Sequence, residues 1–84
     1  MRGVITLKAM TTEQAKKAIP LGRYRHFKGN EYEVIAIAAH SETLEAMVVY
    51  KALYGEGGIW VRPAGMWNDP APNGCKRFEL IERT

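Results

Sequence analysis

Hydrophobic spacing divides the chain in two. Up to Pro20 the pattern is helix-like; from Leu21 onward apolar residues recur at nearly every second position. A period of two marks strands, because successive side chains on an extended backbone point to opposite faces. Near the start, Val4-Ile5-Thr6-Leu7 reads as a short strand. Thr11-Thr12-Glu13-Gln14 then reads as a helix start, with Thr11 as cap and Gln14 three residues later as its reciprocal partner. The helix runs through Ala15, Lys16, Lys17 and Ala18. Pro20 ends it by turning Ile19 away from helical angles. A helix this short is unstable alone and must pack on the body of the protein.

The strand-like part opens at Gly22–Phe27, with Tyr24 and His26 on one face and Arg23, Arg25 and Phe27 on the other. Lys28-Gly29-Asn30 is a turn. Glu31–Ala39 is the clearest strand, with Val34, Ala36 and Ala38 on one face and Ile35, Ile37 and Ala39 on the other. Apolar residues on both faces point to a central, strongly curved strand. After the polar stretch His40–Glu45, Ala46–Tyr54 places Val48, Tyr50 and Ala52 opposite Met47, Val49, Lys51 and Leu53. Gly55-Glu56-Gly57-Gly58 makes a tight turn. Ile59–Arg62 is a short strand with Ile59 and Val61 inward and Trp60 and Arg62 outward, or the reverse. Pro63 stops it. Ala64–Trp67 forms one helical turn, with Met66 and Trp67 as a plug closing one end of the fold. A loop with Pro70, Pro72 and Gly74 leads to a last strand, Lys76–Ile81, carrying Phe78 and Leu80.

About five short antiparallel strands, tight turns and a helical turn before the last strand predict a mainly β domain, a small SH3-like barrel with a short N-terminal helix. Closing the sheet hides edges that would otherwise invite aggregation. Residues 1–20 are read as an N-terminal extension and residues 21–84 as the barrel. There are no repeats and no low-complexity tracts.

Composition narrows the function classes. With 84 residues the chain is the size of one domain. A domain of this size buries only about two-thirds of its unfolded surface, which leaves little material for a deep pocket. Apolar residues make up 46% of the chain, above the disordered range. The single cysteine, Cys75, excludes an intrachain disulfide and predicts a cytoplasmic setting. No apolar run reaches the roughly 20 residues of a membrane span, and Met1–Lys8 is too short and mixed for a signal peptide. The net charge of +3 permits an anionic partner without requiring one. The basic residues are scattered, densest at Arg23, Arg25 and Lys28.

Tyr24-Arg25-His26-Phe27-Lys28-Gly29, Tyr32-Glu33-Val34, His40-Ser41-Glu42-Thr43, Val49-Tyr50, Ala52-Leu53-Tyr54-Gly55, Trp60-Val61-Arg62-Pro63 and Met66 follow one another in order. Together they resemble a small bacterial domain of unknown function, DUF1653, over about Gly22 to Leu80. The resemblance implies a compact SH3-like fold found in bacteria and brings no function with it. The segment Met1–Pro20 lies outside it. The loop after Trp67 departs from it too, and family members more often carry Phe at the Trp67 position.

His40, Ser41 and Glu42 hold the parts of a nucleophilic triad, but neighbours on an extended segment point apart, and no Gly-x-Ser-x-Gly elbow surrounds Ser41. The alternatives are a polar turn braced by the Ser41 and Thr43 hydroxyls or a ligand contact. His26, His40 and Cys75 are too few and too widely spaced for a zinc site. The Gly-Glu-Gly-Gly turn lacks the Lys-Ser/Thr of a phosphate loop. No carboxylate pair is assignable as acid and base. Hence no catalytic residue, metal or cofactor is assigned, and an enzyme is not expected. Of Tyr24, Tyr50, Tyr54, Trp60 and Trp67, some form the core and others line a groove where rings stack on nucleobases or hold prolines. Arg62, two residues after Trp60, shares its face and either serves an anionic or planar ligand or pairs with Glu33 or Glu42.

The leading expectation is a binding module whose site is His40, Ser41, Glu42, Tyr50, Tyr54, Trp60 and Arg62. Its ligand would be a nucleotide, a single-stranded nucleic acid or a peptide. The second is a structural or protein-interaction element acting through self-association or docking, as a monomer or weak homodimer. The third is a small hydrolase using His40 and Ser41.

Overall fold

In the computed structural model, which describes residues 9–84, the Thr11 helix start is a complete capping box. The Thr11 hydroxyl accepts the Gln14 N–H at 3.1 Å, and the Gln14 side chain accepts the Thr11 N–H at 3.0 Å. Helix α1, Thr12–Ala18, follows. It is held by packing: Ala15 and Ile19 are buried in one core cluster with Val34, Ala46 and Val48. The carbonyl of Met10 accepts the Ala46 N–H at 2.9 Å, tying the helix entry to the sheet. The Val4–Leu7 strand lies outside the described residues.

The strands are β1 Gly22–His26, β2 Glu31–Ala39, β3 Ala46–Ala52, β4 Ile59–Pro63 and β5 Phe78–Arg83. The single helical turn expected at Ala64–Trp67 forms as α2. The last strand starts at Phe78, because Lys76 is used in an isolated bridge to Pro70. All neighbours are antiparallel, in the order β4-β3-β2-β1-β5. A four-strand meander whose fifth strand returns beside the first is the SH3-like arrangement. The fold is mainly β with five antiparallel strands, as expected. The sheet is not closed, since β4 and β5 remain its two edges, so "barrel" describes it loosely.

One bulge reassigns a face. Register shifts between Val34 and Ala36, so Ile35 is an extra residue in β2 and is 40% exposed. Beyond it Ile37 sits opposite Val48 and packs on the core beside Val34. Strict alternation had placed Ile37 on the other face; an inserted residue inverts the parity of everything after it. In β4, Trp60 and Arg62 sit opposite Tyr50 and Val48, so they belong to the core face and Ile59 and Val61 to the outer face.

Trp67 is the plug: it is fully buried, whereas Met66, expected beside it, is 42% exposed. The indole lies flat on Phe78, with centroids 3.8 Å apart and planes 5° from parallel. Tyr24 and Tyr50 meet it edge-on at 5.4 and 5.1 Å. The outer face is charged. Arg23 bridges Glu31 at 2.9 Å and Glu82 at 3.1 Å, and Arg25 reaches Glu31 at 3.4 Å.

Gly22 sits at φ +148°, where a methyl group would fall on the Glu82 carbonyl oxygen and lie 2.8 Å from the Arg83 Cα. Both obstacles are backbone, so Gly22→Ala must displace β5. The expected loss is about 2 kcal/mol or more, read as a lower urea midpoint with unchanged slope. An unchanged midpoint would mean that β5 yields freely. The Trp67 indole N–H is buried without a partner among the described residues. Trp67→Phe keeps a stacked ring and removes that orphan, so its loss should stay below about 1.5 kcal/mol. Trp67→Ala should lose about 3–5 kcal/mol by the same measurement.

Candidate functional site

The core face is unevenly covered. Helix α1 packs on β2 and β3 around Ile37, Ala46 and Val48, and α2 brings Trp67 over the centre. The remaining end carries aromatic rings from four elements. Strand β1 places His26 there, opposite Phe78 of β5. Strand β2 places Tyr32, opposite Ala52, and β3 places Tyr50, opposite Val34 and Trp60. Tyr54 follows in the turn after β3. Parity explains the gathering, since each of these strand residues is an even number of positions from a core residue on the same side of any bulge.

Tyr32 is the hub. Its ring centroid lies 5.3 Å from Tyr50, 5.5 Å from Tyr54, 5.9 Å from Phe78 and 6.4 Å from His26, each in an edge-to-face pose. These are favourable aromatic geometries. The Tyr32 and Tyr54 hydroxyls share a 2.7 Å hydrogen bond. Burial first, then that bond and the neighbouring phenols, push the Tyr32 phenol up to about 12. Around this hub the surface is open: Tyr54 is 46% and Trp60 59% exposed.

Cations edge the same face. Arg62 donates Nε–H to the Met66 carbonyl at 3.4 Å and holds its guanidinium 5.9 Å above Phe78. Those are its contacts, rather than Glu33 or Glu42; Glu33 lies on the outer face opposite Arg23 and Lys51. Arg77 and Lys28 stand over the Phe27 ring at 5.6 and 5.8 Å. Burial, then Arg77, Lys28 and Arg62, hold the His26 imidazole below its usual value. Its Nδ1 accepts the Lys28 N–H at 3.2 Å, consistent with a neutral ring. Beyond His26 an open cleft of about 470 Å³ turns toward the outer face, between Arg25, Phe27, Asn73, Cys75, Lys76 and Glu79.

The residues expected to form one site fall into two places. Tyr50, Tyr54, Trp60 and Arg62 share the open face. His40, Ser41 and Glu42 lie at the other end of β3, whose length is about 20 Å at roughly 3.3 Å per residue. There His40 Nδ1 accepts the N–H groups of Glu42 (3.1 Å) and Thr43 (3.4 Å), and the Thr43 hydroxyl accepts that of Glu45 at 3.2 Å. Leu44 takes φ +65° between them. The imidazole nitrogen that a nucleophile would need is used by its own turn. Among the described residues no three His, Cys, Asp or Glu side chains gather to hold a metal ion, and no helix is long and apolar enough to cross a membrane. Sequence reasoning left out His26, Tyr32 and Phe78. The signal was available for Tyr32, which is two residues before Val34 and therefore on its face.

The family model described as "Protein of unknown function (DUF1653)" matches residues 22–80. The crystal structure of a DUF1653 protein from Bordetella bronchiseptica is similar, with 32% sequence identity and a TM-score of 0.70. The alignment covers 81% of this chain and 94% of that one. No curated protein matches.

The raised phenol gives a pH prediction. The neutral form of Tyr32 is favoured by the fold, so its contribution is complete below the ordinary value of 10.0 and is lost as pH rises through about 12. Burial also raises the Tyr24 and Tyr50 phenols, so an ultraviolet phenol titration should show several late tyrosines with Tyr32 as the last step. Tyr54→Phe, which removes the hydroxyl partner, should bring that late step down. If all four tyrosines ionise together near the ordinary value, the hub is looser than described.

Proposed function

This chain belongs to the DUF1653 family of proteins of unknown function, and we propose that it is a binding module that takes single-stranded nucleic acid on its open aromatic face. The observation that carries this reading is the coincidence of exposed rings and cations on one face. Tyr54 and Trp60 are open, Tyr32 and Tyr50 back them, and Arg62, Arg77 and Lys28 all act on His26 in the same sense. No carboxylate is among the groups that shift His26.

Each element has a use for such a ligand. Every base has a π-face, so a tyrosine or tryptophan stacks on it whatever the sequence, contributing about 1–3 kcal/mol per base. The cations meet the phosphates between stacked bases, and that part weakens with salt. A proline-rich peptide would use the rings and leave the cations idle. A single nucleotide would fill one stacking position, whereas a strand spans from Tyr54 toward the cleft beyond His26, which Arg25 and Lys76 line together with Glu79. The role is binding without turnover. His40, Ser41 and Glu42, at the far end of β3, have no part in it.

The test is a ¹⁵N NMR titration of the chain with short DNA and RNA strands, with single nucleotides and a proline-rich peptide as comparisons. Tyr50, Tyr54 and Arg62 signals should move with the strands and the His40–Thr43 turn should not. Tyr54→Ala should weaken binding by about 5- to 150-fold. Arg62→Gln should lower the slope of affinity against salt by about one counterion. Ser41→Ala should change nothing. Movement with the peptide alone, or with no strand at low salt, overturns the reading.

A further inference from the structure

Strand β4 is an edge of the sheet, and its three successive apolar residues are open: Ile59, Trp60 and Val61 are 60%, 59% and 60% exposed. Natural edges are usually blunted by lysine, proline or a bulge at their centre. Here Pro63 stands only at the end, the β3–β4 register is unbroken, and the centre is Val61.

The direction of the free main-chain groups follows from one bond. Ala52 donates its N–H to the Gly58 carbonyl at 2.9 Å, which makes 52 and 58 a hydrogen-bonded pair. Antiparallel pairs alternate. By the observed register, Trp60 with Tyr50 and Arg62 with Val48 are therefore also bonded pairs. Ile59 and Val61 must then turn their main-chain groups away from β3, toward open solvent. The Pro63 carbonyl caps α2 and takes the first bond of that helix, so the edge keeps two N–H donors and two carbonyl acceptors, at Ile59 and Val61.

We propose that two copies of the chain pair through β4, antiparallel about Val61. In this register Val61 faces the partner's Val61 and the two exchange both main-chain bonds. Ile59 faces the partner's Pro63, so the absent proline N–H falls at the ends and not at the centre. Trp60 faces the partner's Arg62 on the core side, in a non-bonded pair where side chains approach closest. An indole opposite a guanidinium is a cation–π pair, made twice by the symmetry. The next register toward Trp60 sets that ring against itself and strands Arg62 opposite a glycine. The next toward Arg62 sets two guanidinium groups face to face and turns the Val61 main-chain groups toward Pro63, which has no N–H to give. The Trp60-centred register keeps the main-chain bonds but loses both Trp60–Arg62 pairs, so those pairs select the Val61 centre; they use two residues of the open face without resting on the nucleic-acid reading. A two-fold axis through the sheet keeps both open aromatic faces on one side.

Sedimentation equilibrium of the full 9.5 kDa chain tests it, together with Val61→Lys and Val61→Glu. Val61 is exposed on the outer face, so both variants should keep the fold, checked by near-ultraviolet circular dichroism. The unsubstituted chain should reach dimer mass as concentration rises. Each variant alone should associate at least about fivefold more weakly, because like charges then face each other. Mixing the two should restore a heterodimer, because only this register sets position 61 against itself. A chain that stays monomeric to millimolar concentration overturns the proposal. So does a dimer that neither variant weakens, or a pair of monomeric variants that fail to rescue each other.

Discussion

The flat stack of Trp67 on Phe78 is the contact on which the rest depends. The two edges of the sheet, β4 and β5, are not joined by hydrogen bonds. They are joined by rings: Trp67 comes from the turn of helix directly after β4, and Phe78 is the first residue of β5. At 3.8 Å the two rings close over the sheet and exclude water from its centre. A small domain has few ways to complete a core, and large rings supply the most buried area per residue. The unpartnered indole N–H shows the priority: shape decides the position, and a polar group of about 1–3 kcal/mol consequence is tolerated there.

Because the stack covers only the centre, the core face has three regimes. Under α1 it is aliphatic and dry, with Ile19, Val34 and Val48 fully buried. Under α2 it is aromatic and dry. Beyond Phe78 it is aromatic and open, and Tyr32 connects the last two by touching Phe78 on one side and Tyr54 on the other. The candidate site is thus the uncovered continuation of the core. The charges lie where this division requires. Arg23, Arg25, Glu31 and Glu82 neutralise one another on the outer face, while Arg62 stands over buried Phe78, and Arg77 and Lys28 over Phe27 beside His26.

What the sequence revealed follows the range of the interaction. The Thr11–Gln14 capping box was legible residue by residue, because it closes within one helical turn. Strand positions were legible from alternation, and so was the helical turn after Pro63. The bulge at Ile35 was not, because β2 is apolar on both faces and an extra residue leaves no mark in such a run. The side of β4 was ambiguous for a related reason: Ile59, Trp60 and Val61 are all apolar, and only pairing with β3 decides which pair faces in. The open sheet was hidden too, since nothing local records that β4 and β5 fail to meet.

The site was half legible for a geometric reason. A motif read along the chain gathers residues that are near in number, and a meander of strands separates them by the length of a strand. His40 and Tyr54 flank β3, so the strand that links them in sequence holds them apart in space. His26 and Tyr32 flank a tight turn and so meet, although a gap of six positions offered no motif to notice. The same rule separates the roles of the two turns. The His40 turn spends its imidazole and the Thr43 hydroxyl on its own backbone, on either side of Leu44 in its left-handed conformation. The Tyr54 turn uses glycines for that purpose, at Gly55 and Gly57. Its aromatic side chain is therefore free to lie against Tyr32, and the open face gains a ring that no backbone requirement holds in place.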